Sequence, residues 1–244
     1  MKDARSCLIV ALDVPDRTAA LAAVDRLSGH VGYFKLGLEI FIREGPRLVE
    51  EVRDRGEKVF LDLKLHDIPN TVAGAVRSAC TLGVQMLTVH AAGGKEMLEA
   101  AAEAAHAAAA PPLLLAVTIL TSLSLEAVRS IGIAEPVSEW VQRLADLAQQ
   151  SGISGLVASA LELPILRRNF HSKMQLVIPG IRHAGAATQD QSRSVQPAEA
   201  ILAGADFLVV GRPILRTPDP ARAADLIVRE IEDALRDSSW SQNS

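Results

Sequence analysis

A chain of 244 residues that is 49% hydrophobic and 22% charged, with a net charge of −4, has the composition of a globular protein and not of a disordered one. Its basic residues are scattered, so no phosphate-neutralising stripe suggests a nucleic-acid partner, and no apolar run approaches the length of a membrane span. Cys7 and Cys80 lack metal-type spacing and offer no disulfide framework; both are expected as small core residues of a protein that works in the cytoplasm.

The first apolar run, Cys7–Leu12, is too short for a signal-peptide core and reads as a strand that stops at Asp13. A helix over Thr18–Leu27 follows, then a strand at Gly32–Leu36 and one long helix over Glu39–Arg55. The same alternation continues with a strand at Lys58–Leu63, a helix at Thr71–Leu82, a strand at Gln85–Val89 and a helix at Gly94–Ala109. Strands at Leu113–Thr118, Gly155–Ala158, Gln175–Ile178 and Asp206–Val210 are followed in turn by helices at Val137–Gln150, Pro164–Phe170, Gln196–Ala203 and Pro220–Leu235. Eight βα units without a composition break predict an α/β chain forming a single (β/α)8 TIM barrel over residues 1–244, with a frayed polar tail at 237–244. The competing open, doubly wound sheet would carry a glycine-rich fingerprint after its first strand, and "ALDVPD" stands there instead.

In a barrel of this kind the active face is at the C-terminal ends of the strands. The residues falling there are Asp13, Lys35, Asp62 with Lys64, His90, Thr118 with Thr121, Pro179–Arg182 and Gly211–Arg212. Strand alternation sets Phe60, Asp62 and Lys64 on one side and Val59, Leu61 and Leu63 on the other. The apolar side should meet the helices, which directs Asp62 and Lys64 into the barrel mouth. Isolated buried charges are costly, so Lys35 from the neighbouring strand is the expected partner of Asp62. A structural ion-pair network is the competing reading, but two lysines among two or three carboxylates at one end of adjacent strands point to catalysis. Carboxylates beside each ammonium favour the charged lysine, which suits Lys64 to proton donation and not to Schiff-base chemistry.

After the seventh and eighth strands, Gly211 permits close backbone approach and Arg212 offers a fork for a phosphate, with Gly180 and Arg182 adding to the same site. Loops after the seventh and eighth strands of barrels often hold phosphate. His90 reads as readily as a structural donor as a catalyst, and His66, His106, His171 and His183 have no metal spacing.

The segment "DLKLHDIPNT" (Asp62–Thr71), with "ALDVP", "FKLGLE", "VTILTS", "PGIR" and "VVGRPI", resembles the bacterial orotidine 5′-phosphate decarboxylases from Leu12 to about Leu215. That resemblance implies decarboxylation of orotidine 5′-monophosphate to uridine 5′-monophosphate in pyrimidine biosynthesis, with no cofactor and no metal. It implies that Asp13 holds the ribose hydroxyls, Lys35 touches the ribose and the charged network, Asp62 faces the scissile carboxylate and Lys64 protonates the ring carbon. Asp67 and Thr71 would cross a homodimer interface into the partner's site. Thr121 would bind the pyrimidine, and Arg182, Gln191, Gly211 and Arg212 would hold the phosphate and its surroundings; Gln191 follows a stretch, "HAGAATQD", whose length varies in the family. Two alternatives remain open: a metal-dependent sugar-phosphate lyase sharing the Asp-x-Lys-x-x-Asp element, and a non-catalytic barrel that binds a nucleotide phosphate.

Overall fold

The computed structural model describes residues 3–171, 173–182 and 195–241. Eight parallel strands close on themselves: β1 (Leu8–Ala11), β2 (Tyr33–Gly37), β3 (Val59–Leu65), β4 (Met86–His90), β5 (Leu113–Val117), β6 (Gly155–Val157), β7 (Gln175–Ile178) and β8 (Phe207–Val210). Each pairs with the next, and β8 pairs with β1 in the register Ile9 to Val209, which seals the barrel. Helices α1 (Arg17–Leu27), α2 (Leu38–Glu44), α3 (Pro46–Asp54), α4 (Pro69–Thr81), α5 (Lys95–His106) and α6 (Leu125–Ser130) cover the first half. The second half is covered by α7 (Val137–Gln150), α8 (Leu163–Phe170), α9 (Pro197–Leu202), α10 (Arg212–Leu215) and α11 (Pro220–Ser241). The architecture is the expected TIM barrel.

Strands buried on both faces read as continuous apolar runs, and here the two faces form two cores. Ile9, Ala11, Phe60, Met86, Leu115, Val177, Phe207 and Val209 fill the barrel interior, where the Tyr33 ring meets Phe207 edge-on. The alternate residues, among them Leu8, Val10, Phe34, Leu36, Leu61 and Leu87, lie in the larger core beneath the helices. Cys7 belongs to that outer core and is fully buried, whereas Cys80 is half-buried; both are free thiols.

Several elements differ from the sequence reading. The helix expected over Glu39–Arg55 is two helices, because Gly45 adopts φ 67° to close α2 and Pro46 opens α3 in a new direction. The last helix continues past Leu235 to Ser241, into the stretch whose composition suggested fraying. Two short helices, α6 and α10, occupy segments read as loop.

The N-terminal mouth of the barrel is tied by one arginine. Arg167 on α8 donates to the carbonyls of Gly204 (2.6 Å), His171 (2.6 Å) and Met174 (2.8 Å) and pairs with the Asp206 carboxylate. Asp206 also accepts the Leu176 N–H at 2.8 Å, so α8 and the starts of β7 and β8 share one polar knot. Polar groups at this mouth serve stability, leaving the opposite mouth for chemistry. Among the described residues no helix is long and apolar enough to cross a membrane.

Candidate active site

The centre of the upper mouth is an irregularity in β3. Leu61 pairs with Leu87, but Leu65 pairs with Val89, so four steps along β3 answer two along β4. The surplus is absorbed around Lys64, whose φ of 49° is in the left-handed region that residues with a side chain seldom occupy. Its N–H donates not to a strand carbonyl but to the hydroxyl of Thr88, at 2.8 Å.

This bulge brings three charged groups together. Lys64 Nζ is 2.9 Å from both carboxylate oxygens of Asp62, and Lys35 Nζ from β2 approaches the same carboxylate at 3.3 Å. Lys35 also faces Asp13 at 3.7 Å, extending the array to the end of β1. Gly37 leaves space for it: a Cβ there would come within 3.2 Å of Lys35 Nζ. Burial works against the ionised form of Asp62, but the ammonium groups of Lys35 and Lys64, the Lys64 hydrogen bonds and the Thr88 hydroxyl outweigh it. The carboxyl is therefore held below its usual range.

These residues floor a cavity of about 410 Å³. Asp13, Lys35, Asp62, Lys64, Gly180, Arg182, Gly211 and Arg212 line it, together with Thr121 and apolar residues that include Ile119, Leu120 and Val157. Five cationic side chains line the cavity against two carboxylates, counting Arg216, one helical turn beyond Arg212. That excess suits a small anionic ligand with a flat apolar portion, in the size range of small-molecule sites.

The structure thus collects Asp13, Lys35, Asp62, Lys64, Thr121, Arg182, Gly211 and Arg212 around one space. Asp67 and Thr71 are not in it: both are exposed, and the Asp67 carboxylate accepts the Ile68 N–H at 2.7 Å. Gln191 lies outside the described residues. Thr118 does not line the cavity either; it is buried with its hydroxyl turned to the Val157 carbonyl at 3.4 Å. His90 stacks on His66 with ring centres 5.1 Å apart, and burial, then His66 and Lys64, push its imidazole below the usual range. It too is absent from the lining. Among the described residues no group of three His, Cys, Asp or Glu side chains is placed to hold a metal ion.

Two residues at the site escaped the sequence reading. Thr88 is fully buried at an inward position of β4 and donates to Asp62 Oδ1 at 2.9 Å. A threonine inside a strand reads as an ordinary β-former, so only the strand parity could have flagged it. Arg216 was legible only by helical spacing from Arg212.

Three comparisons bear on this site. The family model for "Orotidine 5′-phosphate decarboxylase / HUMPS family" matches residues 6–227. The chain is similar to the orotidine 5′-phosphate decarboxylase of Moorella thermoacetica, 52% identical over 235 residues, covering 94% of this chain and 93% of that protein. It is also similar to the protein of the same name from Syntrophotalea carbinolica, 51% identical and covering 96% and 98% of the two chains. Among solved structures, a crystal structure of orotidine 5′-phosphate decarboxylase from Lactobacillus acidophilus superposes with a TM-score of 0.82 at 36% identity, covering 92% of this chain and 98% of that one.

Proposed function

Because the chain belongs to the orotidine 5′-phosphate decarboxylase / HUMPS family, we propose that its barrel mouth decarboxylates orotidine 5′-monophosphate to uridine 5′-monophosphate, with Lys64 as the proton donor. The observation that carries this reading is the Lys64–Asp62–Lys35 array lining one cavity with Arg182 and Arg212. A phosphate held by Arg212, Arg182 and the backbone at Gly211 sets the length of the ligand. The ring end then lies against the lysines, with Thr121 beside the pyrimidine and Asp13 and Lys35 at the ribose. Gln191 would complete the phosphate end.

The chemistry asks for this arrangement. Breaking the bond from the pyrimidine C6 to its carboxylate releases carbon dioxide and leaves the electron pair on C6, in the ring plane. That pair has no π system to enter. It is stabilised by positive charge fixed beforehand at the correct place, and it is quenched by a proton from the same group. Lys64 Nζ supplies both, and solvent restores its proton after product leaves. Asp62 holds Lys64 and Lys35 in position and stands where the substrate carboxylate would be crowded as it enters. Interactions at the phosphate, remote from C6, can be used to hold the ring against these charges. The reaction written this way requires neither an electron-sink cofactor nor a metal ion.

The exposure of Asp67 and Thr71, flanking an Ile68 that is itself 66% exposed, supports a homodimer in which this segment reaches the partner's site. Ile42 and Leu38, also exposed, add apolar surface fit for an interface. A small-molecule pathway of this kind operates in the cytoplasm, and we assign the protein there.

The test is the absorbance change of orotidine 5′-monophosphate on adding purified protein, with and without excess EDTA. Loss at equal rates in both supports the metal-free decarboxylase. Loss abolished by the chelator contradicts the metal-free reaction. Absence of turnover contradicts the decarboxylase and leaves the metal-dependent sugar-phosphate lyase or the non-catalytic nucleotide-phosphate binder, which metal-supplemented sugar-phosphate assays separate.

A further inference from the structure

The geometry around Thr88 goes beyond the residues already given roles. Its hydroxyl has one proton and can accept as well as donate. It accepts the Lys64 N–H at 2.8 Å and donates to Asp62 Oδ1 at 2.9 Å, so a single oxygen joins the backbone of one ion-pair partner to the side chain of the other. Thr88 is wholly buried, which leaves no bulk water to take over either bond.

The two bonds answer a specific need. Between Leu61 and Leu65 β3 carries residues for which β4 offers no ladder partner, and Lys64 at φ 49° has left the pleat. A conformation of that kind persists only where its surroundings hold it. The Lys64 N–H is the group stranded by the bulge, and Thr88 satisfies it. The same hydroxyl fixes the Asp62 oxygen on which Lys64 Nζ rests 2.9 Å away, so the backbone and the head of Lys64 are tied to one point on β4.

We propose that Thr88 is a positioning residue for the decarboxylation: its hydroxyl locks the β3 bulge and thereby aims the Lys64 ammonium. This rests on Lys64 being the proton donor. Only the hydroxyl can do this, since valine has nearly the same shape and strand preference but neither donates nor accepts.

The experiment compares kcat and KM of wild type, Thr88→Val and Thr88→Ser, with melting curves of all three. A misplacement of the order of 1 Å costs about 100-fold in rate. The expected result is a kcat lowered by about that factor in Thr88→Val, a KM changed by less than about threefold because the phosphate end is untouched, and recovery to within about tenfold of wild type in Thr88→Ser. A Thr88→Val enzyme with wild-type kcat, or one whose loss lies in KM, overturns the proposal. So does a serine variant as slow as the valine one. Should Thr88→Val fail to fold, Thr88→Ala and Thr88→Ser make the same comparison, since both lack the methyl and only serine keeps the hydroxyl; equal kcat in that pair overturns the proposal. Wild-type protein without turnover defeats the functional reading itself, whereas active wild type with an unimpaired Thr88→Val defeats this inference alone.

Discussion

Lys64 and Asp62 lie two residues apart on one strand, yet the ammonium of the first is 2.9 Å from both oxygens of the second. The contact exists because the strand bulges between them and β4, and because Lys35 draws the same carboxylate from the other side. An amide in place of the carboxylate could not neutralise either lysine, and two ammonium groups would then face each other. Asp62→Asn is therefore expected to lower kcat by at least about 100-fold while binding of uridine 5′-monophosphate stays within about tenfold of wild type. Steady-state kinetics and calorimetric titration check it; a kcat within tenfold of wild type would contradict it.

Arg212 is expected to act on binding. It lines the same cavity as Lys64, together with Arg182 and Arg216. Arg212→Ala should raise KM and weaken product binding by roughly 10- to 100-fold, the worth of a charge-assisted bidentate contact. Inorganic phosphate should compete less well against the variant. Unchanged product affinity would remove Arg212 from the phosphate site.

The proposal that Asp67 reaches the partner's site gives a sharper expectation. Lys64→Ala and Asp67→Ala should each be nearly inactive, but mixed after reversible dissociation they should regain activity. Random pairing makes half the dimers hybrids, each with one intact site, so the mixture should reach about a quarter of wild-type specific activity. No regain, with hybrids demonstrated by native mass spectrometry, would keep Asp67 out of the partner's site.

Stability at low pH follows from a different carboxylate. Glu51 on α3 accepts from Arg17 at 2.5 Å through two bonds and from Arg47 at 3.1 Å. The Arg17 hydrogen bonds foremost, against some desolvation and with help from Arg47, bring its pKa from an ordinary 4.5 to about 2. A depressed carboxyl contributes stability above its unfolded value, and that contribution fades as pH falls from 4.5 through about 2. At low ionic strength, wild type should melt above Glu51→Gln at neutral pH, and the gap should close across that window. A gap that does not vary with pH would contradict the assignment.

Much of this was legible in the residues. The barrel followed from eight apolar runs of strand length spaced by amphipathic helices, and the facing of Asp62 and Lys64 followed from alternation. Alternation alone is nevertheless the wrong reason for Lys64, which points into the mouth after a bulge that breaks the alternation. A bulge is set by what the neighbouring strand can pair with, and that information is on β4, not in the local pattern. Thr88 was missed for the same cause: its importance comes from two contacts across strands. The split of α2 from α3 was written in Gly45 and Pro46, and the helical periodicity running through them masked it. Asp67 and Thr71 do not line the cavity of the single chain, so their place in the reading rests on the resemblance carried by "DLKLHDIPNT".

Lys64 carries the proposed chemistry. Turnover of orotidine 5′-monophosphate by Lys64→Ala, measured at high enzyme concentration beside a titration with uridine 5′-monophosphate, tests it most directly. Loss of the group that both stabilises and protonates the carbanion predicts a rate at least about 1,000-fold below wild type, with product affinity retained within about tenfold. A variant that still turns over within tenfold of wild type would contradict the assignment of the proton to Lys64.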